Sequence, residues 1–194
     1  MRARPAALVA FTPPFTAQTA RLLLGACALL CACQKKSEPS TSDPEPSYEP
    51  LVLSEGWSSV ARADDPFIAQ QPAAPSCVGP EFSIENGWLE IDTGACNWVT
   101  LAASALGPVT EGAPLRITVS HYDLDAPAPA EAELALTLGG CSAWSKAVPI
   151  PGPAAVYVEP FNSPCALPSG GELLFHLNNH GQNNWQLQEL AIAR

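Results

Sequence analysis

Apolar and polar side chains alternate with a period of two through most of the second half of the chain, and this predicts β-strands. In WLEIDTG, residues 88–94, Leu89 and Ile91 fall on one face, with Trp88, Glu90 and Asp92 on the other. LRITVSHYDL, 115–124, gathers Leu115, Ile117, Val119 and His121 on one face. AELALTL, 132–138, gathers Ala132, Leu134, Leu136 and Leu138, with Glu133 and Thr137 opposite. Further strands are predicted at CNWVTLA (96–102), AWSKAVPI (143–150), AAVYVEP (154–160), ELLFHLN (172–178) and NWQLQELAI (184–192). Turn formers separate them: Glu85-Asn86-Gly87, Gly107-Pro108, Gly139-Gly140, Pro151-Gly152-Pro153 and Ser169-Gly170-Gly171. No long segment carries a helical period. About eight short strands with one-sided alternation imply an all-β fold of two packed antiparallel sheets, a sandwich or jelly roll.

The first third of the chain has a different texture. RLLLGACALLCAC, residues 21–33, sets one arginine before an apolar run that ends in small residues and cysteine. The run is shorter than the roughly 20 apolar residues a spanning helix needs, and it fits the apolar region of an export signal. It resembles a bacterial lipoprotein signal, which implies lipidation of a cysteine after a Leu-x-Gly/Ala-type box. Cys33 stands where the apolar run meets the polar QKKSEPS, and Cys27, after Leu24-Gly25-Ala26, is the alternative. The resemblance implies a protein held by a lipid anchor to a membrane. Gln34 beside the anchor, where an inner-membrane retention mark has Asp, implies the outer membrane, on its periplasmic or its surface side. Residues 34–76 are rich in Pro, Ser and Glu and read as a tether, with a first strand suggested at 51–53. The sandwich domain is expected over 77–194, with 1–33 as the signal segment.

Composition narrows the partners. The 194 residues include 21 prolines and one methionine, which disfavours helix, and the formal net charge is −10. Three of the basic residues, Arg2, Arg4 and Arg21, precede the expected cleavage point. Too few remain to build a basic patch, so no nucleic-acid partner is expected. Four cysteines follow the signal: Cys77, Cys96, Cys141 and Cys165. An even number in an exported domain implies two disulfides, and sequential pairing would contribute about 3 kcal/mol each through unfolded-state entropy.

Candidate chemistry gathers in FHLNNHGQNNWQLQEL, 175–190. His176 alternates with Phe175 and Leu177 and faces away from whatever they pack on. His180 follows inside a run of Asn and Gly, residue types that turn a chain and bond its backbone. With Asn179 and Asn183, these two histidines form a candidate ligand-binding loop. His121 is the third histidine. Convergence of His121, His176 and His180 would suffice for one zinc or copper ion; otherwise no cofactor is expected. Trp88, Glu90 and Asp92 share a strand face, so Trp88 is a candidate exposed aromatic for a sugar or protein, and Trp98 is a second. The carboxylates of Glu90 and Asp92 stand about 7 Å apart by strand geometry, within the range of inverting glycosidases. An acidic solvent face produces the same spacing, and Ser120, His121 and Asp123 lack the facing geometry of a triad, so catalysis is not expected.

The terminal GQNNWQLQELAI, with Trp185, Leu187, Glu189, Leu190 and Ile192, resembles the last strand of galactose-binding-like jelly rolls, as in carbohydrate-binding modules and discoidin-type domains. That resemblance implies a ligand site on loops or on a concave sheet. The stretches WLEIDTGACNWVTL, VSHYDLDAPAPAEAELAL and FHLNNHGQNNWQLQEL are similar to uncharacterised predicted lipoproteins of myxobacteria. The combined expectation is a non-catalytic envelope lipoprotein that binds a glycan or an envelope protein. A three-histidine metal protein and a purely structural envelope component are the alternatives.

Overall fold

Strands form at all eight segments that alternation marks, and three further short strands precede them. The computed structural model describes residues 46–72 and 77–194; the signal segment, with Cys27 and Cys33, lies outside them. The strands are β1 (Tyr48–Pro50), β2 (Ser58–Ser59), β3 (Ser83–Glu85), β4 (Trp88–Asp92), β5 (Trp98–Ser104), β6 (Pro114–His121), β7 (Ala130–Leu138), β8 (Cys141–Ile150), β9 (Ala155–Asn162), β10 (Glu172–Asn178) and β11 (Asn184–Ala193). They make two antiparallel sheets. One has the order β3-β4-β11-β6-β9, with β1 added beside β11; the other has the order β2-β5-β10-β7-β8. The fold is therefore the expected all-β sandwich of jelly-roll type.

The core fills the space between the sheets. Leu89, Ile91, Leu115, Ile117, Val119 and Trp185 come from the six-stranded sheet, and Val99, Leu101, Leu134, Leu136, Phe175 and Leu177 from the five-stranded one. All are buried because each lies on the inward parity of its strand. In β11 the inward positions run Trp185, Leu187, Leu190, Ile192, a change of parity. A register shift between Leu187 and Glu189 against β6 accounts for it: one extra residue turns Glu189 outward and restores the apolar face beyond it. Glu189 then receives Arg116 in a two-pronged pair at 2.8 and 3.0 Å. On the far edge, Glu159 of β9 accepts hydrogen bonds from Trp144 and Lys146 of β8, closing the sandwich at that side.

Residues 48–72, read from sequence as tether, carry structure of their own. β1 pairs with the end of β11, matching Tyr48 with Ala193. Leu51, Val52 and Trp57 join the core, with the Trp57 ring edge-on to Phe175. The strand suggested at 51–53 is instead a bend that follows β1. From β2 the chain continues as short 3-10 turns at Arg62–Asp64 and Ile68–Gln70. This 60–72 strap lies over the outer face of the five-stranded sheet.

Cys77 and Cys96 are bonded, as sequential pairing predicts. The second expected bridge is not formed. Cys141 and Cys165 are free thiols, with the Cys165 thiol directed at the Leu138 carbonyl, 3.4 Å away. Burial, and then its hydrogen bond with Cys141, push the Cys165 thiol up to about 11, so it stays protonated near neutral pH.

Candidate functional site

The Asn-rich turn between β10 and β11 satisfies its own polar groups. Asn179 is fully buried; its Nδ2 donates to the Thr93 hydroxyl at 2.9 Å and its Oδ1 accepts from the Trp185 indole at 3.0 Å. Asn183 accepts the Asp125 N–H at its Oδ1, 2.8 Å, and donates from Nδ2 to the His180 carbonyl, 3.1 Å. The Thr93 hydroxyl accepts the Asn183 N–H and donates to the Asn183 carbonyl, both at 2.9 Å. Asn179 and Asn183 thus tie β4, the 123–125 segment and the core tryptophan together. They bind the chain itself, where the sequence suggested a ligand. His180 stands exposed at the rim of the turn.

The three histidines do not converge. His121 lies on the inner face of β6, its ring against Trp185 and Tyr157. Its Nδ1–H donates to the Tyr122 carbonyl at 2.6 Å, which leaves Nε2 to accept from the Tyr157 hydroxyl at 3.2 Å. His176 belongs to the opposite sheet and points outward, and His180 is on a loop. Among the described residues, no three His, Cys, Asp or Glu side chains are placed to hold a metal ion. The zinc or copper expectation is corrected accordingly: each imidazole is placed by a different part of the fold.

The strap explains why His176 is buried although it faces away from the core. Phe67 stacks on its ring at 4.3 Å and 11° between planes, and Trp98 meets it edge-on at 4.4 Å. Its Nδ1 hydrogen-bonds the Thr100 hydroxyl of the neighbouring strand at 2.8 Å. Asp65 holds the strap down. Its Oδ2 accepts the Trp98 indole N–H and its Oδ1 the Phe67 N–H, each at 2.9 Å. Trp98, a candidate exposed aromatic by alternation, is therefore covered. Burial lowers the His176 imidazole to about 4, with the Asp65 charge working against that shift. His176 is thus neutral at pH 7.

Beside Phe67 the outer face of the five-stranded sheet opens into a trough of about 620 Å³. Its floor is made of short side chains, Ala135 on β7 and Ser142, Ser145 and Ala147 on β8. Phe67 and Gln70 form one wall, and Glu133 and His176 border it. The volume falls in the range of small-ligand sites, and aromatic plus hydrogen-bonding groups on a rigid sheet suit such a role. Glu133 also lines a second cavity of about 490 Å³ between the Ala126–Ala130 segment and His180.

The other candidate face is less open. Glu90 accepts the side-chain amides of Asn184 and Gln186 at 3.0 and 3.1 Å, and Asp92 caps the Gly94 N–H at 2.8 Å. These carboxylates are engaged by neighbouring groups. Trp88 is exposed, at 38%, next to the β3–β4 turn. Trp185, by contrast, is core. Sequence reasoning found His176 but missed its neighbours Phe67, Gln70, Ala135, Ser142 and Ser145. Ala135 on β7 and Ser145 and Ala147 on β8 are short outward side chains, but Ser142 joins them only through the register shift between β7 and β8, which alternation does not reveal.

No protein-family model matches the chain, and comparison with curated proteins yields no match. Several solved structures resemble it weakly. A CBM4 module is 10% identical with a TM-score of 0.42, covering 75% of this chain and 95% of that one. A point mutant of a family 29 carbohydrate-binding module is 9% identical with a TM-score of 0.41, covering 77% and 92%. The N-terminal cellulose-binding domain of Cellulomonas fimi β-1,4-glucanase C is 14% identical with a TM-score of 0.39, covering 72% and 85%. No residue correspondence is taken from these matches.

Proposed function

We propose that this chain is an exported lipoprotein, anchored through Cys33 at the outer membrane, whose sandwich domain binds a glycan without catalysis. The observation that carries the reading is the trough beside Phe67, with its small-residue floor and mixed aromatic and polar border. Sugar rings stack on aromatic faces and hydrogen-bond to Ser, Gln and Glu side chains, and these residue types border the trough. Charge narrows the ligand. Of the four basic residues among those described, Arg116, Lys146 and Arg194 are paired with Glu189, Glu159 and Glu49. Little positive charge is left to recognise a sulfated or uronic polymer, so a neutral or cationic glycan is favoured.

Filling the trough tests this. Ala135→Trp places a bulky ring on its floor while the inward positions of β7 stay unchanged. On a glycan array, the parent protein gives signal for neutral or amine-bearing oligosaccharides, and the variant loses at least about tenfold of it, roughly 1.4 kcal/mol. The circular dichroism of the two should match. Equal signal from both proteins would move the ligand elsewhere.

A further inference from the structure

We infer that the trough continues beneath the strap, where His176 and Trp98 form a second seat for a sugar ring, and that Phe67 fills this seat in place of the ligand. The inference rests on the glycan reading above and deepens it. One rung of outward side chains crosses four strands of the five-stranded sheet. Thr100 of β5 is paired with His176 of β10, His176 with Ala135 of β7, and Ala135 with Ser145 of β8. Neighbouring strands stand about 4.8 Å apart, so the rung is a shelf about 14 Å long. The strap crosses it at His176. On one side lies the trough, over Ala135 and Ser145 and bordered by Phe67. On the other lies a cavity of about 330 Å³, lined by Thr100 and Trp98 and bordered by Asp65.

Phe67 lies as a stacked sugar would, flat over the imidazole, with Trp98 edge-on to the same ring. Little else seats the strap. Its two 3-10 turns bury no side chain, and between 60 and 72 Asp65 is the one buried residue. The ends are fixed without Phe67. The Val60 N–H donates to the Thr100 carbonyl at 2.9 Å, and the Cys77–Cys96 bridge follows on the other side. The middle can therefore swing off His176 while both ends stay on the sheet. The two cavities then join along the rung, and a saccharide spanning them sets one ring on the imidazole. Occupancy by Phe67 lowers the apparent affinity by the fraction of molecules whose seat is free.

Hydrogen exchange on the full chain tests this, with saturating glucose hexasaccharide (β-1,4-linked) or N-acetylglucosamine hexasaccharide. The amides of Phe67, Gln70 and Gln71 donate within the strap, to Asp65 Oδ1 and to the Phe67 and Ile68 carbonyls. Binding should speed their exchange at least about tenfold while β10 stays protected. Asp65→Ala removes the bonds to Trp98 and to the Phe67 N–H. By isothermal titration it should bind the same saccharide at least about tenfold tighter; binding by the variant alone is that result at its limit. Should circular dichroism show the variant misfolded, exchange in the parent decides alone. Slower or unchanged exchange of the strap in the bound parent, or an affinity that Asp65→Ala leaves equal or weaker, overturns the second seat and leaves the trough reading standing. Absence of binding by parent and variant overturns both.

Discussion

Gly181→Ala should cost about 3 kcal/mol or more and lower the melting temperature by roughly 10 °C, read by tryptophan fluorescence during heating. The backbone there has φ +95°, a conformation that L side chains rarely adopt. A Cβ on Gly181 would stand 2.0 Å from the Asp125 carbonyl oxygen, so one of the two segments must move. Asp125 cannot yield freely. Asn183 grips it from both sides, accepting its N–H at 2.8 Å and donating to its carbonyl at 3.3 Å. Asn183 in turn belongs to the Thr93–Asn179 cluster that holds the Trp185 indole. The clash therefore propagates into buried hydrogen bonds, each expensive to leave unmade. A variant melting within about 2 °C of the parent would show that the turn relaxes locally and that the cluster is not rigid.

Acid should destabilise the domain in a window set by His176. In the unfolded chain a histidine titrates near 6.5, and in the fold this one titrates at about 4. Between those values the unfolded state holds the extra proton, so stability falls as pH drops and levels off below about 4. The full loss from this one group is about 3 kcal/mol. Urea midpoints across pH 7 to 4 should follow that slope, and His176→Asn should flatten it. Phe67→Ala strips one face of the ring, so the imidazole should move up toward 6.5 in an NMR titration and the window should narrow. Glu159 does not confuse the reading. Burial pushes its carboxyl up, but the hydrogen bonds from Lys146 and Trp144 and the Lys146 charge outweigh that and hold it below 4.5. Its contribution is therefore lost at lower pH. A flat profile from pH 7 to 4 in the parent would mean that water reaches His176.

Both predictions turn on groups whose importance the sequence displays only in part. Alternation placed β4 through β11 within a few residues, because an inward parity is imposed by burial and leaves a period-two mark. It identified Trp185 as core and His176 as outward-facing for the same reason. It could not tell that outward would mean buried. That depends on Phe67 and Asp65 arriving from more than a hundred residues upstream, on a segment whose short 3-10 turns have no apolar period. Trp98 was misjudged by the same omission: its parity is outward, but the strap shuts it in. The Asn-rich turn was legible as a turn, while its partners Thr93 and Asp125 lie far along the chain and no local pattern names them. The metal expectation failed on topology, since residue counts say nothing about which sheet a strand joins.

The way the strap is fastened has a consequence for how the domain breathes. Residues 60–72 bury little apolar surface of their own and are secured chiefly by one carboxylate, one indole and one stacked ring. Such a segment releases at a free energy well below that of unfolding the sheets. One side of the trough is therefore a door on a latch, and its opening would bare the imidazole and the tryptophan beneath while both sheets stay intact.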